Sequence, residues 1–298
     1  ELKSQQVDTL VTLNHRLYIQ PRDHTNFELL PAGEVRGKRV RFKKDAGWAG
    51  STPGTVLGYE TLDFMRFLGF YLAEGNLEKT DYRIVIHQTQ SEGRAWFQAL
   101  TDRLGMHVVV RPDRFIIYKK ALWQYLKALG NRSWNKRLPL SVLEFGPAAH
   151  RAVWDGFVEG DGTTTVSGQQ VAITTSPVLR DQLQEVALKA GWSANWKEQK
   201  DGEIGSTKVI KKTGQALTKR RTCYHVRMIR AKNRPQINHG HAKTQNGQSE
   251  RVVQYTGSVH CVTVPNHVLY VRRNGKPHWS GNSMRHGSKG IVVKIVPD

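Results

Sequence analysis

Two apolar helices, each ending in an acid directly before a glycine, constrain this chain more than any other feature. FLGFYLAEG (67–75) and VWDGFVEGDG (153–162) place Glu74 and Asp161, 87 positions apart, ahead of Gly75 and Gly162. A carboxylate there faces the partial negative charge of a helix C-terminus, which costs roughly 0.3–1 kcal/mol, and sequences normally put Lys or Arg at that point. The same unfavourable choice made twice calls for a cation to offset it. Both helices also carry small residues four apart, Gly69 and Ala73 in the first, Gly156 and Gly160 in the second. That spacing forms a flat face on which helices approach closer than the usual ~8–10 Å. If the faces dock, Glu74 and Asp161 meet at one end of the pair. Two carboxylates at short range suit Mg²⁺, a hard cation that takes oxygen ligands and keeps waters. Such a site polarises a phosphate, activates a water and stabilises a departing oxygen. The competing reading makes Gly75 and Gly162 ordinary helix stops and the acids solvated surface groups. Repetition of the whole pattern argues against it.

The repetition extends beyond the helices. TLDFMRFLGFYLAEG (61–75) is followed by a strand at 82–88, a helix at 91–105, a hairpin made by MHVVVRP and RFIIYKK, and a helix at 121–130. A second helix–strand–helix series runs through 151–162, 169–175 and 177–192, which indicates an internal duplication. LGFYLAEG (68–75) and GFVEGDG (156–162) resemble the paired signature of LAGLIDADG homing endonucleases, and the resemblance covers roughly residues 61–245. It implies a pseudo-symmetric monomer of two αββαββα units whose saddle-shaped sheets lie along the DNA major groove. It also implies that Glu74 and Asp161 bind two or more divalent ions, Mg²⁺ foremost. Family members often add a lysine near the metals. Lys136, in NKRLP, is the candidate, with an ordinary DNA contact or surface lysine as the alternative.

Charge points to the same partner. Against 25 Asp and Glu stand 45 Lys and Arg, a formal net charge of +20 and a pI near 10.1. Self-repulsion of that size is best tolerated by a protein that meets a polyanion, with double-stranded DNA first. A membrane is excluded as a partner on this reading: no apolar run approaches the roughly 18–20 residues needed to span a bilayer, and no basic amphipathic helix stands out. The stretch 197–234 is the most basic, and Lys211, Lys212, Lys219, Arg220, Arg221 and Arg227 are its candidate DNA contacts. Gln88, Gln90 and Arg227 are candidates for base reading, without assignment to any one. Two cysteines, Cys223 and Cys261, exclude a disulfide framework, and a reducing, cytoplasmic, nucleoid-associated setting is expected. The chain opens without Met or a signal peptide, from which a trimmed or partial product is expected.

The two ends have a different texture. Residues 7–19 and 34–42 alternate apolar and polar and read as strands, as does 259–273, while GWAGSTPGTVLG (47–58) reads as a linker. Thr12-Leu-Asn-His15, Val264-Pro-Asn-His267 and Gly281-Asn282-Ser283 occur in that order and resemble the later sequence blocks of an intein. The resemblance implies that His15, with Thr12, polarises an upstream amide. It also implies that Ser283 accepts an acyl group and that Asn282 cyclises to break the following bond. The usual His before the terminal Asn is Gly281 here, so His267 or His278 is expected to assist. Cys261 occupies a position where Asp is common, in a supporting role. Nothing resembles the first intein block with its Cys or Ser, so a separate N-terminal fragment or a truncation is expected. Residues 283–298, with R-H-G-x-K-G, resemble a segment of the RNA polymerase β subunit, which makes Arg285, His286 and Lys289 part of a host extein.

The expected fold class is α/β plus all-β: an endonuclease domain (59–250) inserted in a partial Hint-type β domain (1–58 and 251–282), then a C-extein (283–298). The alternatives are a non-cutting, maturase-like nucleic-acid binder and a splicing-only module.

Overall fold

The structure, a computed structural model, describes residues 1–199, 202–209, 216–237, 247–258, 262 and 264–282. It divides into two compact units, one formed by 47–228 and the other by 1–46 together with residues from 229 onward. Each is a mixture of small antiparallel sheets, with α-helices concentrated in the first.

In the 47–228 unit, helix α1 (Thr61–Glu74) runs directly into strand β1 (Gly75–Leu77), followed by β2 (Arg83–His87), α2 (Ser91–Arg103), β3 (Val109–Arg111), β4 (Arg114–Tyr118) and α3 (Lys120–Lys127). The second series is α4 (Pro147–Asp161), β5 (Gly162–Thr164), β6 (Gln170–Thr174), α5 (Pro177–Lys189), β7 (Ser193–Glu198) and β8 (Tyr224–Ile229). The sheet orders are β3-β4-β2-β1 and β5-β6-β8-β7, which is the same topology traversed twice. Each sheet is covered by its own helices. Helix α1 is buried almost all round, through Phe64, Met65, Phe67, Leu68, Phe70 and Tyr71. A surface helix would show one apolar stripe; this one packs on its sheet and on a second helix at once.

That second helix is α4, and their contact is the most extensive between helices of this unit. Glycine makes it possible. A Cβ on Gly156 would overlap the Arg66 carbonyl, one on Gly69 the Val153 carbonyl, and one on Gly160 would lie 2.6 Å from Ala73 Cβ. The small-residue faces therefore dock backbone to backbone. Gly75 and Gly162 serve another purpose than the left-handed helix stop. Both are extended, at φ/ψ of −84/150 and −117/174. A Cβ on Gly75 would meet the Tyr71 carbonyl at 2.6 Å, and one on Gly162 would meet Val158 backbone atoms at 2.5 Å. The chain turns from helix to strand with no residue between, and only glycine leaves room.

The division of the chain differs from the sequence reading, which put it at 58/59 and 250/251. Residues 47–58 are tied to the helical unit: Trp48 Nε1 donates to the Phe145 carbonyl (2.7 Å), Thr61 Oγ1 to the Pro53 carbonyl (2.7 Å), and Gly146 N to Thr52 Oγ1 (2.9 Å). At the other end, Gln236–Ile237 pairs with Val40–Phe42, and Ser249–Glu250 with Leu2–Lys3. Side-chain anchoring of an irregular segment and pairing of two-residue strands leave little trace in periodicity.

The other unit has its own core of Leu2, Val7, Leu17, Ile19, Val35, Val40, Phe42 and Ile237. One sheet orders Gln236–Ile237, Val40–Phe42, Arg16–Pro21 and Glu28–Pro31. A hairpin pairs Val268–Arg273 with Lys276–Gly281 around Asn274-Gly275, both at positive φ, the left-handed pair that a two-residue turn requires. Both stretches of chain are stitched together, for Lys276 Nζ donates to the Ser4 carbonyl (2.7 Å) and Asn274 Nδ2 to Asp8 Oδ2 (3.0 Å).

Adding one methyl at the helix contact tests the packing. Gly156→Ala should lower unfolding stability by about 1–3 kcal/mol, the cost of overpacking a closed interface, read as a denaturant midpoint. An unchanged midpoint would mean that the helices do not approach this closely.

Candidate functional site

Direct docking of α1 on α4 brings their C-terminal acids to one place. Glu74 is half-buried and feels the charge of Asp161. Burial first, then Asp161, pushes the Glu74 carboxyl up to about 7, against the opposing pull of Lys136. Asp161 is open to solvent at the residue level, yet protein mass around its carboxyl pushes it up to about 6, again against Lys136. Water screens the Asp161 effect more, so Glu74 is the more strained of the two. Neither carboxylate has a hydrogen bond or ion pair among the described residues.

Lys136 completes the cluster. It is 4% exposed, and its amine donates to the carbonyls of Tyr71 (3.0 Å) and Ala73 (3.4 Å), on the last turn of α1. It also lies 5.3 Å from the Tyr71 ring centroid. Burial lowers its pKa to about 8, against the two acids, which raise it. Its backbone is fixed by α5: Ser176 Oγ donates to the Lys136 carbonyl (2.7 Å), and Gln182 brackets Leu138 through both amide atoms (2.7 and 3.0 Å). The lysine thus neutralises part of the helix-end dipole and leaves the acids unpaired. Tyr71 was not legible as a site residue, because an apolar helix supplies aromatic residues at every turn.

Two unpaired carboxylates with raised pKa values, at two helix C-termini, form an all-oxygen donor set that fits a hard divalent cation. They are a pair only. Among the described residues no group of three or more His, Cys, Asp or Glu is placed to hold a metal.

The candidate DNA contacts are less uniform. Arg220 and Arg227 are exposed. Arg221 stacks over Trp134, 4.0 Å from the ring centroid, and Lys219 donates to the carbonyls of Gln199 (3.2 Å) and Gly202 (2.9 Å). Lys211 and Lys212 lie outside the described residues. Gln88 is corrected as a base reader: it is buried, and its Oε1 accepts from Gln90 N (2.9 Å), so it shapes the entry to α2. Gln90 is exposed.

In the other unit, Thr12 and His15 sit on a turn rather than in a strand; His15 N donates to the Thr12 carbonyl (3.1 Å), closing it ahead of Arg16–Pro21. His15 is fully buried, and its Nε2 is 3.0 Å from Ser280 Oγ. Burial, then Arg16, lowers its pKa to about 4. Asn282 is 2% exposed and donates from its backbone N to the His267 carbonyl (3.0 Å). His267, at positive φ, meets Asn282 through its backbone. His278 is buried with its ring packed edge-on to Phe42 and no hydrogen bond on either nitrogen, so it is a core residue here. Burial, then Lys44, lowers its pKa to about 3. Arg16, which sequence reasoning passed over, reaches Asn282: Nε to the backbone carbonyl and Nη2 to Oδ1, both at 3.5 Å. Cys261, Ser283 and the 283–298 segment lie outside the described residues.

No protein-family model matches the chain. It is similar to a DNA-directed RNA polymerase subunit beta C-terminal section of Stigeoclonium helveticum, 25% identical over 98% of this chain and 32% of that protein. It is also similar to an ATP-dependent Clp protease proteolytic subunit of Chlamydomonas moewusii, 22% identical over 98% of this chain and 41% of that protein. The chain thus spans well under half the length of either relative. Among solved structures it is similar to the homing endonuclease I-DmoI in complex with DNA and Ca, at 16% identity, TM-score 0.39, covering 58% of this chain and 87% of that one. It is likewise similar to full-length DUF199/WhiA from Thermatoga maritima, at 12% identity, TM-score 0.38, covering 60% of this chain and 54% of that one.

The raised Glu74 pKa makes a signed prediction for the metal-free protein. A carboxyl whose folded pKa exceeds its unfolded one costs stability as pH rises from about 4.5 to about 7. Glu74→Gln, measured by urea unfolding in chelator, should therefore stabilise by about 1–3 kcal/mol at pH 8 and change little at pH 4. A loss of stability at pH 8 would show that the carboxylate is favourably paired.

Proposed function

We propose that the chain is a LAGLIDADG-type DNA endonuclease that makes site-specific double-strand cuts, with a divalent cation, Mg²⁺ foremost, held by Glu74 and Asp161. The observation that carries this reading is the meeting of two unpaired, burial-strained carboxylates at the ends of two glycine-docked helices, beside a buried lysine. When bound, the metal supplies positive charge at the phosphate and lowers the pKa of water. Glu74 and Asp161 orient that charge. Lys136, pinned by the Tyr71 and Ala73 carbonyls, holds a second positive charge at the edge of the site. The excess of 20 positive charges supports a polyanionic partner.

The second part of the reading concerns the unit built from both ends of the chain: a protein-splicing domain that carries the endonuclease inside a host protein. The specific support is Asn282, buried beside Arg16, with His15 bonded to Ser280 two residues earlier. Two relatives named for a polymerase subunit and a protease subunit align with 98% of the chain, and an element shared by such different hosts behaves as an insert. The polymerase-like residues 283–298 make an RNA polymerase β-like protein the proposed host extein.

Incubation with duplex DNA carrying the uninterrupted host-gene junction and Mg²⁺ should give double-strand cuts, abolished by chelator. Glu74→Gln and Asp161→Asn should each lower the rate by at least about 100-fold with DNA retention on a gel unchanged, and Lys136→Met by about 10–100-fold. Binding with no cutting by the unaltered chain would favour a non-cutting nucleic-acid binder. Cutting by both amide variants would overturn the metal assignment.

A further inference from the structure

We propose that Arg16 is a catalytic residue for breaking the peptide bond after Asn282, supplying a function that position 281 has no room to carry. This rests on the splicing reading above.

Cyclisation of Asn282 has defined demands. The amide Nδ2 attacks the residue's own carbonyl carbon, forming a five-membered succinimide. The bond from that carbon to the nitrogen of residue 283 breaks. Nδ2 gives up one proton and the departing α-amine gains one, so nothing is oxidised or reduced. Two things limit the step: the side chain must be held with Nδ2 against the carbonyl carbon, and negative charge growing on the carbonyl oxygen must be stabilised.

Arg16 meets both demands with one edge of its guanidinium. Nε faces the Asn282 carbonyl oxygen and Nη2 faces Oδ1, each at 3.5 Å. A planar fork that spans both oxygens fixes the side-chain torsion and aims a permanent positive charge at the atom that becomes an oxyanion. The separations lie at the outer limit of hydrogen bonding, where donors in a resting site commonly sit before charge develops. Nδ2 points its own hydrogen toward the Val262 carbonyl (3.5 Å), and the backbone N donates to the His267 carbonyl (3.0 Å), so the residue is held from three sides. Asn282 is 2% exposed, and water competes little for the carbonyl.

The neighbouring glycine gives the reason that an arginine is needed. A Cβ on Gly281 would lie 2.5 Å from the Arg16 carbonyl and 2.5 Å from Leu29 Cδ2. No side chain at 281 fits against the Arg16–Pro21 strand. The histidines named from the sequence do not reach: His278 is sealed in the core, and His267 contributes its backbone carbonyl. Arg16 comes from the same strand that excludes a side chain at 281.

The test uses the whole chain and follows release of the 16-residue peptide 283–298 by mass spectrometry, with a C-terminal succinimide on the larger fragment. The unaltered chain should release it and Asn282→Ala should not. Arg16→Met should slow release by at least about 100-fold, and Arg16→Lys, which keeps the charge but loses the fork, by about 10-fold. Guanidinium at millimolar concentration should restore part of the rate to Arg16→Gly, a rescue that a merely structural role would not give. If Arg16→Lys and a folded Arg16→Met both release peptide at the unaltered rate, the inference about Arg16 is wrong while the splicing reading stands. No release from the unaltered chain overturns the splicing reading, and this inference with it.

Discussion

Backbone-to-backbone packing of α1 on α4 is the constraint from which the 47–228 unit follows. Gly69, Gly156 and Gly160 remove the side chains that would hold the helices apart, and the carbonyls of Arg66 and Val153 fill that space. Glycine in a helix interior costs about 1 kcal/mol relative to Ala, so three of them at one seam need a compensating gain. Part of it is burial: a helix that faces both its sheet and its partner is apolar on nearly every side. The other part is positional. Parallel approach at this distance leaves Glu74 and Asp161 no way to avoid each other, and the immediate turn into β1 and β5 at Gly75 and Gly162 fixes where each carboxylate leaves the helix. Wider packing would let each acid reach water separately and restore ordinary pKa values.

The 1–46 and 229–282 stretches solve a different problem, which is how to remain one folded unit while interrupted by 47–228. Their strands pair directly beside the interruption: Phe42 N donates to the Pro235 carbonyl and Lys44 N to the Asn233 carbonyl, both at 3.0 Å. The chain therefore leaves and re-enters this unit on neighbouring segments, the geometry that makes an insertion tolerable. At the far end the Glu1 carboxylate gathers Lys3, Arg251 and Arg273, which hold its carboxyl down to about 2. The core draws mainly on 1–46, and Ile237 joins the later stretch to the cluster of Leu2 and Phe42.

Much of this was legible in the residues. The helices at 61–74, 91–103 and 177–189 begin and end within three residues of their apolar periodicity, and Glu74, Asp161 and Lys136 lie close enough for Lys136 to act on both acids. Arg16 and Tyr71 were not legible, because their importance lies in what stands next to them. Arg16 looks like one of many basic residues until Gly281 is seen pressed against its carbonyl. The T-x-x-H segment was misplaced in a strand because β-branched residues surround it, whereas Asn14, whose Oδ1 accepts from Thr12 Oγ1 at 2.7 Å, makes it a turn. The 268–281 hairpin was open to prediction: Asn274-Gly275 between alternating strands is the strongest short-range hairpin signal.

The 47–228 unit holds 25 Lys and Arg against 17 Asp and Glu, so its own share of the chain's charge is +8. A formal +20 spread over the chain attracts any polyanion but selects none, and phosphate contacts alone give affinity without chemistry. Among the described residues, the α1–α4 junction holds two acids close together without an ion pair, against only a partial pull from Lys136. A phosphate drawn in by the surrounding field meets repulsion there unless a cation lies between, because Lys136, held by backbone carbonyls, offsets the two acids only in part. On the proposed reading, a divalent ion between the acidic pair and a phosphate is what makes the two compatible. Pairing the acids with an arginine would leave the same fold without the charge that calls for a cation.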